Sequence, residues 1–164
     1  MSNRFTDHHN IDDATDVWLT PPWIPQSLGE FDLDPCAQKG FELAKENYYD
    51  FGLLREWKGR VWLNPPYSDI TPWMQAMAVH RSGIALVFAR TDTAWWHNWV
   101  APYVPGVFFF QGRLSFLSRD GVEATANAGA PSCLIAYSQA DLAAIVSAQD
   151  YGVLKGSVMW SEAA

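Results

Sequence analysis

Apolar positions along the chain fall into short runs separated by polar, capped segments. The stretches "IALVFA" (84–89), "VFFFQ" (107–111) and "SCLIAY" (132–137) are nearly unbroken apolar runs of strand length. Runs of that kind predict strands buried on both faces. Between them the punctuation is helical. In "TPWMQAMAVHRSG", Thr71 predicts a cap, Pro72 the first helical position and Gly83 the stop. "TDTAWWHNWVA" predicts a second helix capped at Thr91 or Asp92, and Ser138 opens a last one with Asp141 in its first turn. Upstream, "LTPPWIPQSLG" offers Thr20 as N-cap, proline in the first turn and Gly29 as terminator of a short helix. "EFDLDPC" then reads as a strand ending at Asp34-Pro35, and "VWL" runs into Asn64-Pro65-Pro66-Tyr67. Strands alternating with helices predict an α/β fold: one domain with a mostly parallel sheet and helices on both faces.

Two segments stand outside this alternation. Residues 1–16 are polar and contain His8-His9. Without an apolar framework to hold metal ligands, they read as a solvated tail, so the folded domain is expected over 17–164. Residues 112–131, "GRLSFLSRDGVEATANAGAP", are long for a connection. They are either a functional loop or, around "SRDGV", a hairpin turn.

Composition narrows the class. A chain of 164 residues, 49% hydrophobic and 18% charged, is globular and large enough for one real core. No apolar run reaches bilayer-spanning length, and the N-terminal stretch lacks a signal peptide's apolar centre, so an intracellular, cytoplasmic protein without membrane contact is expected. Cys36 and Cys133 lie far apart with no metal or redox spacing, and they read as buried thiols in a reducing compartment. No metal is expected. A net charge of −7 argues against holding nucleic acid tightly by charge alone, although Arg90, Arg113 and Arg119 could form a local basic face. The nine tryptophans read first as core and second as stacking surfaces for bases.

The chemistry concentrates at Asn64-Pro65-Pro66-Tyr67. In open α/β sheets, ligands bind beyond the carboxyl ends of strands, where this tetrad lies. Pro65 forces Asn64 out of helical geometry, and neither proline has an N–H. The backbone there offers carbonyl acceptors alone, and the Asn64 side-chain oxygen adds another. Two acceptors aimed at one spot suit a primary amine on a flat ring, with Tyr67 stacked on the ring. They would stabilise the positive charge that builds on nitrogen as it attacks an electrophile. No nucleophilic side chain is required. The alternative is a turn stiffened by two prolines.

Asn64-Pro65-Pro66-Tyr67 resembles the catalytic motif of S-adenosylmethionine-dependent amino-methyltransferases. Asp34-Pro35-Cys36-Ala37 resembles their cofactor motif, and Thr20-Pro21 is similar to the Thr-Pro element that precedes it in many adenine methyltransferases. The succession "WLTPP…FDLDPCA…GLLREWKGRVWLNPPYS…ARTDTAWWH…GRLSF…APSCLIAY", over about residues 17 to 138, resembles the small phage and prophage DNA N6-adenine methyltransferase family. The resemblance implies a Rossmann-like methyltransferase sheet, S-adenosylmethionine as cofactor, DNA as partner and a bacterial host cytoplasm as location. It implies that Asn64 and the Pro65 carbonyl hold the N6 amine, with Tyr67 on a flipped adenine. It also implies that Asp34 sits beside the methionine part of the cofactor, with Cys36 lining that pocket, and that Thr20 binds the cofactor's carboxylate. Methyl transfer would be direct, without an enzyme-bound intermediate.

Some positions depart from the family pattern. The glycine that usually follows the Asp-Pro element is displaced to Gly40. Only ~30 residues separate Asp34 from Asn64, too few for two complete strand–helix units, so the middle of the sheet is expected to be trimmed. Asp50 in "NYYDFG" is the candidate for the ribose hydroxyls, with a solvated loop carboxylate as the alternative. Arg90 is either a DNA phosphate contact or half of a structural pair with Asp92. Asp32, two residues before Asp34, reads as a buried structural carboxylate. Two rival functions stand beside DNA methylation. The same tetrad also occurs in methyltransferases acting on a protein glutamine amide or an RNA base, and an aromatic-rich domain could bind nucleic acid without catalysis.

Overall fold

The computed structural model describes residues 19–118, 121–122 and 128–160. The expected tail over 1–16 and Arg119 lie outside the described residues. Among those described are seven strands, β1 (Leu33–Asp34), β2 (Glu46–Asn47), β3 (Val61–Leu63), β4 (Gly83–Phe88), β5 (Gly106–Phe110), β6 (Ser132–Ala136) and β7 (Gly156–Trp160). The α-helices are α1 (Trp23–Gln26), α2 (Thr71–His80), α3 (Ala94–Trp99) and α4 (Gln139–Asp150). The strands form one sheet in the order β2-β1-β3-β4-β6-β5-β7.

Strands β1 to β4 pair in parallel, with Val61 opposite Gly83 and Leu63 opposite Ala85. Beyond β4 every pairing is antiparallel: β6 against both β4 and β5, and β7 against β5. Because β5 is antiparallel to a strand that is itself antiparallel to β4, it points the same way as β1 to β4. The sheet is therefore mixed, and the expectation of a mostly parallel one holds for its first half. The apolar runs of β5 and β6 carry no mark of direction, and the long 111–131 connection lets the chain return antiparallel. β7 was not foreseen. It is an edge strand with alternating exposure at Ser157 to Met159, so its sequence lacks the continuous apolar run of a central strand.

Side chains alternate across the sheet as strand geometry requires. Val61, Leu63, Ala85, Val87 and Ile135 face one layer with Met74, Met77 and Ala78 of α2 and Trp95 and Trp96 of α3. Trp62, Ile84, Leu86, Phe108 and Leu134 face the other, with Ile24 of α1 and Leu142, Ile145 and Ala148 of α4. Helices thus cover both faces. Fully buried Trp62 and largely buried Trp95 and Trp96 take the core role. The middle of the sheet is short as expected: between β1 and β3 the chain forms two-residue β2 and a 3-10 turn at Gly52–Leu54, and no α-helix.

Several boundaries differ in detail. Thr20 does not cap α1, because its hydroxyl is engaged elsewhere and Pro22 stands at the cap position. Thr71 is already helical and makes no capping bond. α2 ends at left-handed Arg81, whose N–H donates to the Met77 carbonyl, and Gly83 instead begins β4. There a Cβ would collide with the Val61 carbonyl oxygen of the neighbouring strand, which accounts for glycine. Thr93 precedes α3, in place of Thr91 or Asp92, and its hydroxyl donates to the Arg90 carbonyl at 2.7 Å. Ser138 caps α4 as predicted, accepting from the Asp141 N–H.

Asp141 does more than decorate a first turn. Its carboxylate, 1% exposed, accepts from Arg60 Nε at 2.6 Å and from the Gly83 N–H at 2.7 Å. Arg60 also donates to the carbonyls of Leu28 and Glu30 and lies over the Phe31 ring. This pair ties the starts of β3, β4 and α4 together at the amino ends of the parallel strands. Asp32 is not buried. It precedes β1 at that same end, where its half-exposed carboxylate accepts from the Arg60 N–H and from Lys45. Among the described residues no helix is long and apolar enough to cross a membrane.

Candidate active site

The parallel pairing of β1, β3 and β4 brings Asp34, Asn64 and Phe88 to one rim of the sheet. A cleft of about 160 Å³ opens there, lined by Thr20, Asp34, Cys36, Asn64, Pro65, Pro66 and Tyr67 among others. The two strand-end motifs and the Thr20 segment thus converge on one hollow.

Asn64 ends β3 and is partly buried. Its Nδ2 donates to Thr20 Oγ1 at 3.0 Å, and Thr20 is only 4% exposed. Sequence reasoning placed both residues in the site without pairing them. Pro66 is extended, at φ −63° and ψ 133°, and leads into a 3-10 turn at Tyr67–Asp69 before α2. The Tyr67 ring lies flat on Phe88, with centroids 4.0 Å apart and planes 4° from parallel. Phe88 was missed. The available signal was positional, since it closes the strand next to β3.

Asp34 closes β1 and is 4% exposed. Burial pushes its carboxyl up from the ordinary 3.8 to about 7, with the hydrogen bond from the Cys36 N–H opposing the shift. A buried carboxyl at a cleft wall, with one backbone donor and, among the described residues, no cationic side chain bonded to it, fits a positively charged ligand group. The cofactor expected from the sequence carries such groups, so the residues present suit it. Pro35 follows, packed so closely on Gly52 that a Cβ at residue 52 would strike its carbonyl oxygen. Cys36 lines the cleft and is half-buried, where a buried thiol was expected; Cys133 is buried, and burial raises its thiol well above the ordinary value.

The cleft continues past Asp34. A second hollow of about 360 Å³ is lined by Ala37, Gln38, Tyr49 and Asp50, and a third of about 180 Å³ by Pro35, Cys36, Tyr49, Asp50 and Trp73. Asp50 is exposed, just beyond β2, and borders both. Pro21 is buried beside Thr20, with its carbonyl accepting from the Ile24 N–H at 3.0 Å.

Arg90 is exposed at the rim after β4, and no ion pair joins it to Asp92. Arg113 is exposed on the β5–β6 connection. The stem of that connection is built in. Leu114 and Phe116 are buried, and Leu117 exchanges two backbone hydrogen bonds with Leu19, at 2.9 and 3.1 Å. Ser118 N–H donates to Val122 O at 2.7 Å, and Gly121 abuts the Phe41 ring at the cleft wall.

Comparison with known proteins adds one finding: the family model described as DNA N-6-adenine-methyltransferase (Dam) matches residues 7–154. No curated protein and no solved structure matches the chain.

Proposed function

The chain belongs to the DNA N-6-adenine-methyltransferase (Dam) family, and from that membership we propose that it transfers a methyl group from S-adenosylmethionine to the N6 amine of an adenine swung out of DNA. The observation that carries the reading is the convergence of Asn64-Pro65 and buried Asp34 on one cleft. Residues 17–164 then act as a Rossmann-like methyltransferase domain whose parallel half supplies the site.

The bound cofactor supplies a methyl group on a positively charged sulfur. Asp34 offers its carboxylate to the cationic methionine end, with Cys36 and Ala37 walling that side. Asp50, beyond β2, takes the ribose hydroxyls. Asn64 Oδ1 and the Pro65 carbonyl accept the two N6 hydrogens, which holds the amine in line. The same acceptors stabilise the charge nitrogen acquires as its bond to carbon forms and the sulfur–carbon bond breaks, and the surplus N6 proton is then lost to solvent. Tyr67, backed by Phe88, carries the adenine ring. No side chain is methylated on the way. Arg90 and Arg113 reach toward phosphates, few enough to agree with a net charge of −7.

The test is methyl transfer itself. Purified protein with methyl-labelled S-adenosylmethionine should place label in DNA as N6-methyladenine, and in neither RNA nor glutamine-containing peptides. Label in another acceptor redirects the substrate assignment. Failure both to bind S-adenosylhomocysteine and to modify DNA would sink the enzymatic reading.

A further inference from the structure

The Thr20–Asn64 hydrogen bond spans 44 residues and joins two segments of the cleft wall. Resting on the methyl-transfer reading, we infer that Thr20 is a positioning residue that holds the Asn64 carboxamide in place at the cleft wall. Asn64 Nδ2 donates to Thr20 Oγ1. A hydroxyl can pair with either end of an amide, so what Thr20 supplies is a fixed anchor for the plane and place of the carboxamide.

Thr20 is suited to this task by how firmly it is held. Its predecessor Leu19 is buried and exchanges two backbone hydrogen bonds with Leu117, while the carbonyl of its successor Pro21 accepts from the first turn of α1. At 4% exposure the Thr20 hydroxyl is largely shielded from bulk water. The role suggested by family resemblance, binding the cofactor carboxylate, predicts something different for the same residue: loss of cofactor affinity with turnover intact once the cofactor saturates.

Thr20→Val keeps the side chain's shape and removes its oxygen. Expected is a fall in kcat of roughly 10- to 100-fold at saturating cofactor and DNA, in the range lost with a misplaced or missing transition-state contact. S-adenosylhomocysteine affinity by calorimetry should stay within about threefold. Thr20→Ser, which keeps the hydroxyl, should restore turnover to within a few-fold, and melting temperatures should show all variants folded. On an Asn64→Ala background Thr20→Val should cost nothing further in kcat, since a residue acting through another has no effect once that partner is gone. Unchanged kcat in Thr20→Val, or an undiminished effect on the Asn64→Ala background, overturns the positioning role. A wild-type protein that methylates no adenine would instead bring down the methyl-transfer reading beneath it.

Discussion

Tyr67 and Phe88 lie face to face, 4.0 Å between centroids and 4° from parallel, one following β3 and the other closing β4. Phe88 therefore occupies one face of the ring proposed to carry adenine, and a base would use the opposite face. Phe88→Leu removes the flat backing and keeps most of the volume. We expect a loss of about 1 kcal/mol in stability, the usual worth of such a ring pair, and a lowering of the melting temperature by ~2–4 °C. Turnover on DNA should fall about tenfold (~1.4 kcal/mol), with S-adenosylhomocysteine binding retained. Equal losses in both would place Phe88 in the cofactor site.

Asn64→Ala tests the proposed amine acceptor directly. Loss of one such contact is expected to reduce kcat on the order of 10²–10³-fold, ~2.7–4 kcal/mol. Calorimetry with S-adenosylhomocysteine should give near wild-type affinity. A variant that still methylates adenine at wild-type rate would remove Asn64 from the mechanism.

Asp34 gives a pH dependence whose sign follows from burial. Its carboxyl titrates near 7 in the folded chain against an ordinary 3.8. Below the unfolded value both states are protonated and the buried acid costs nothing. As pH rises toward 7 the unfolded chain ionises first, so stability is lost, and above 7 the penalty levels off. Asp34→Asn should therefore stabilise the ligand-free protein at pH 8, by on the order of 2–4 kcal/mol, with the gain absent near pH 4. Urea unfolding across that range checks it. A cationic ligand favours the ionised form, so S-adenosylmethionine affinity should rise between pH 6 and 8 more steeply in wild type than in Asp34→Asn.

The Arg60–Asp141 pair should dominate the stabilities of the ion pairs described. Asp141→Ala strands a largely buried guanidinium and is expected to cost roughly 3–5 kcal/mol. Breaking Lys45–Glu30, whose side chains are 60% and 85% exposed, should cost under about 1 kcal/mol. Similar denaturation midpoints for Asp141→Ala and Glu30→Ala would contradict this contrast.

Arg90→Ala and Arg113→Ala should each weaken DNA binding about equally across sequences and reduce the salt slope of affinity by about 1. A sequence-dependent loss at either position would mean that it touches a base edge.

The strand-end motifs were legible from sequence because their chemistry is local. Two prolines without N–H groups and an Asp-Pro at a strand end need no partner to be recognised. Helices on both faces and the shortened middle followed equally from run lengths and spacing. What escaped the sequence depends on pairing. Asn64 meets Thr20, Tyr67 meets Phe88 and Arg60 meets Asp141 only once strand order is known. Strand direction also escaped, because β5 and β6 are apolar throughout and no residue in them marks which way the chain runs. Capping signals misled at Thr20, where the hydroxyl had a better use, and fell short of the helix start at Thr91 and Asp92, where Thr93 stands at the cap position.

The described part of the connection between β5 and β6 is fastened at two places. Leu117 is stitched to Leu19, and the Ala128 N–H returns to the Leu114 carbonyl at 2.9 Å, so both ends of the intervening stretch are fastened to the body of the protein. Splice points just after Ser118 and just before Ala128 would let foreign sequence be exchanged there with the Thr20 anchor left standing. Such chimeras would test whether the exchanged stretch selects the DNA sequence acted on in the proposed methyl transfer.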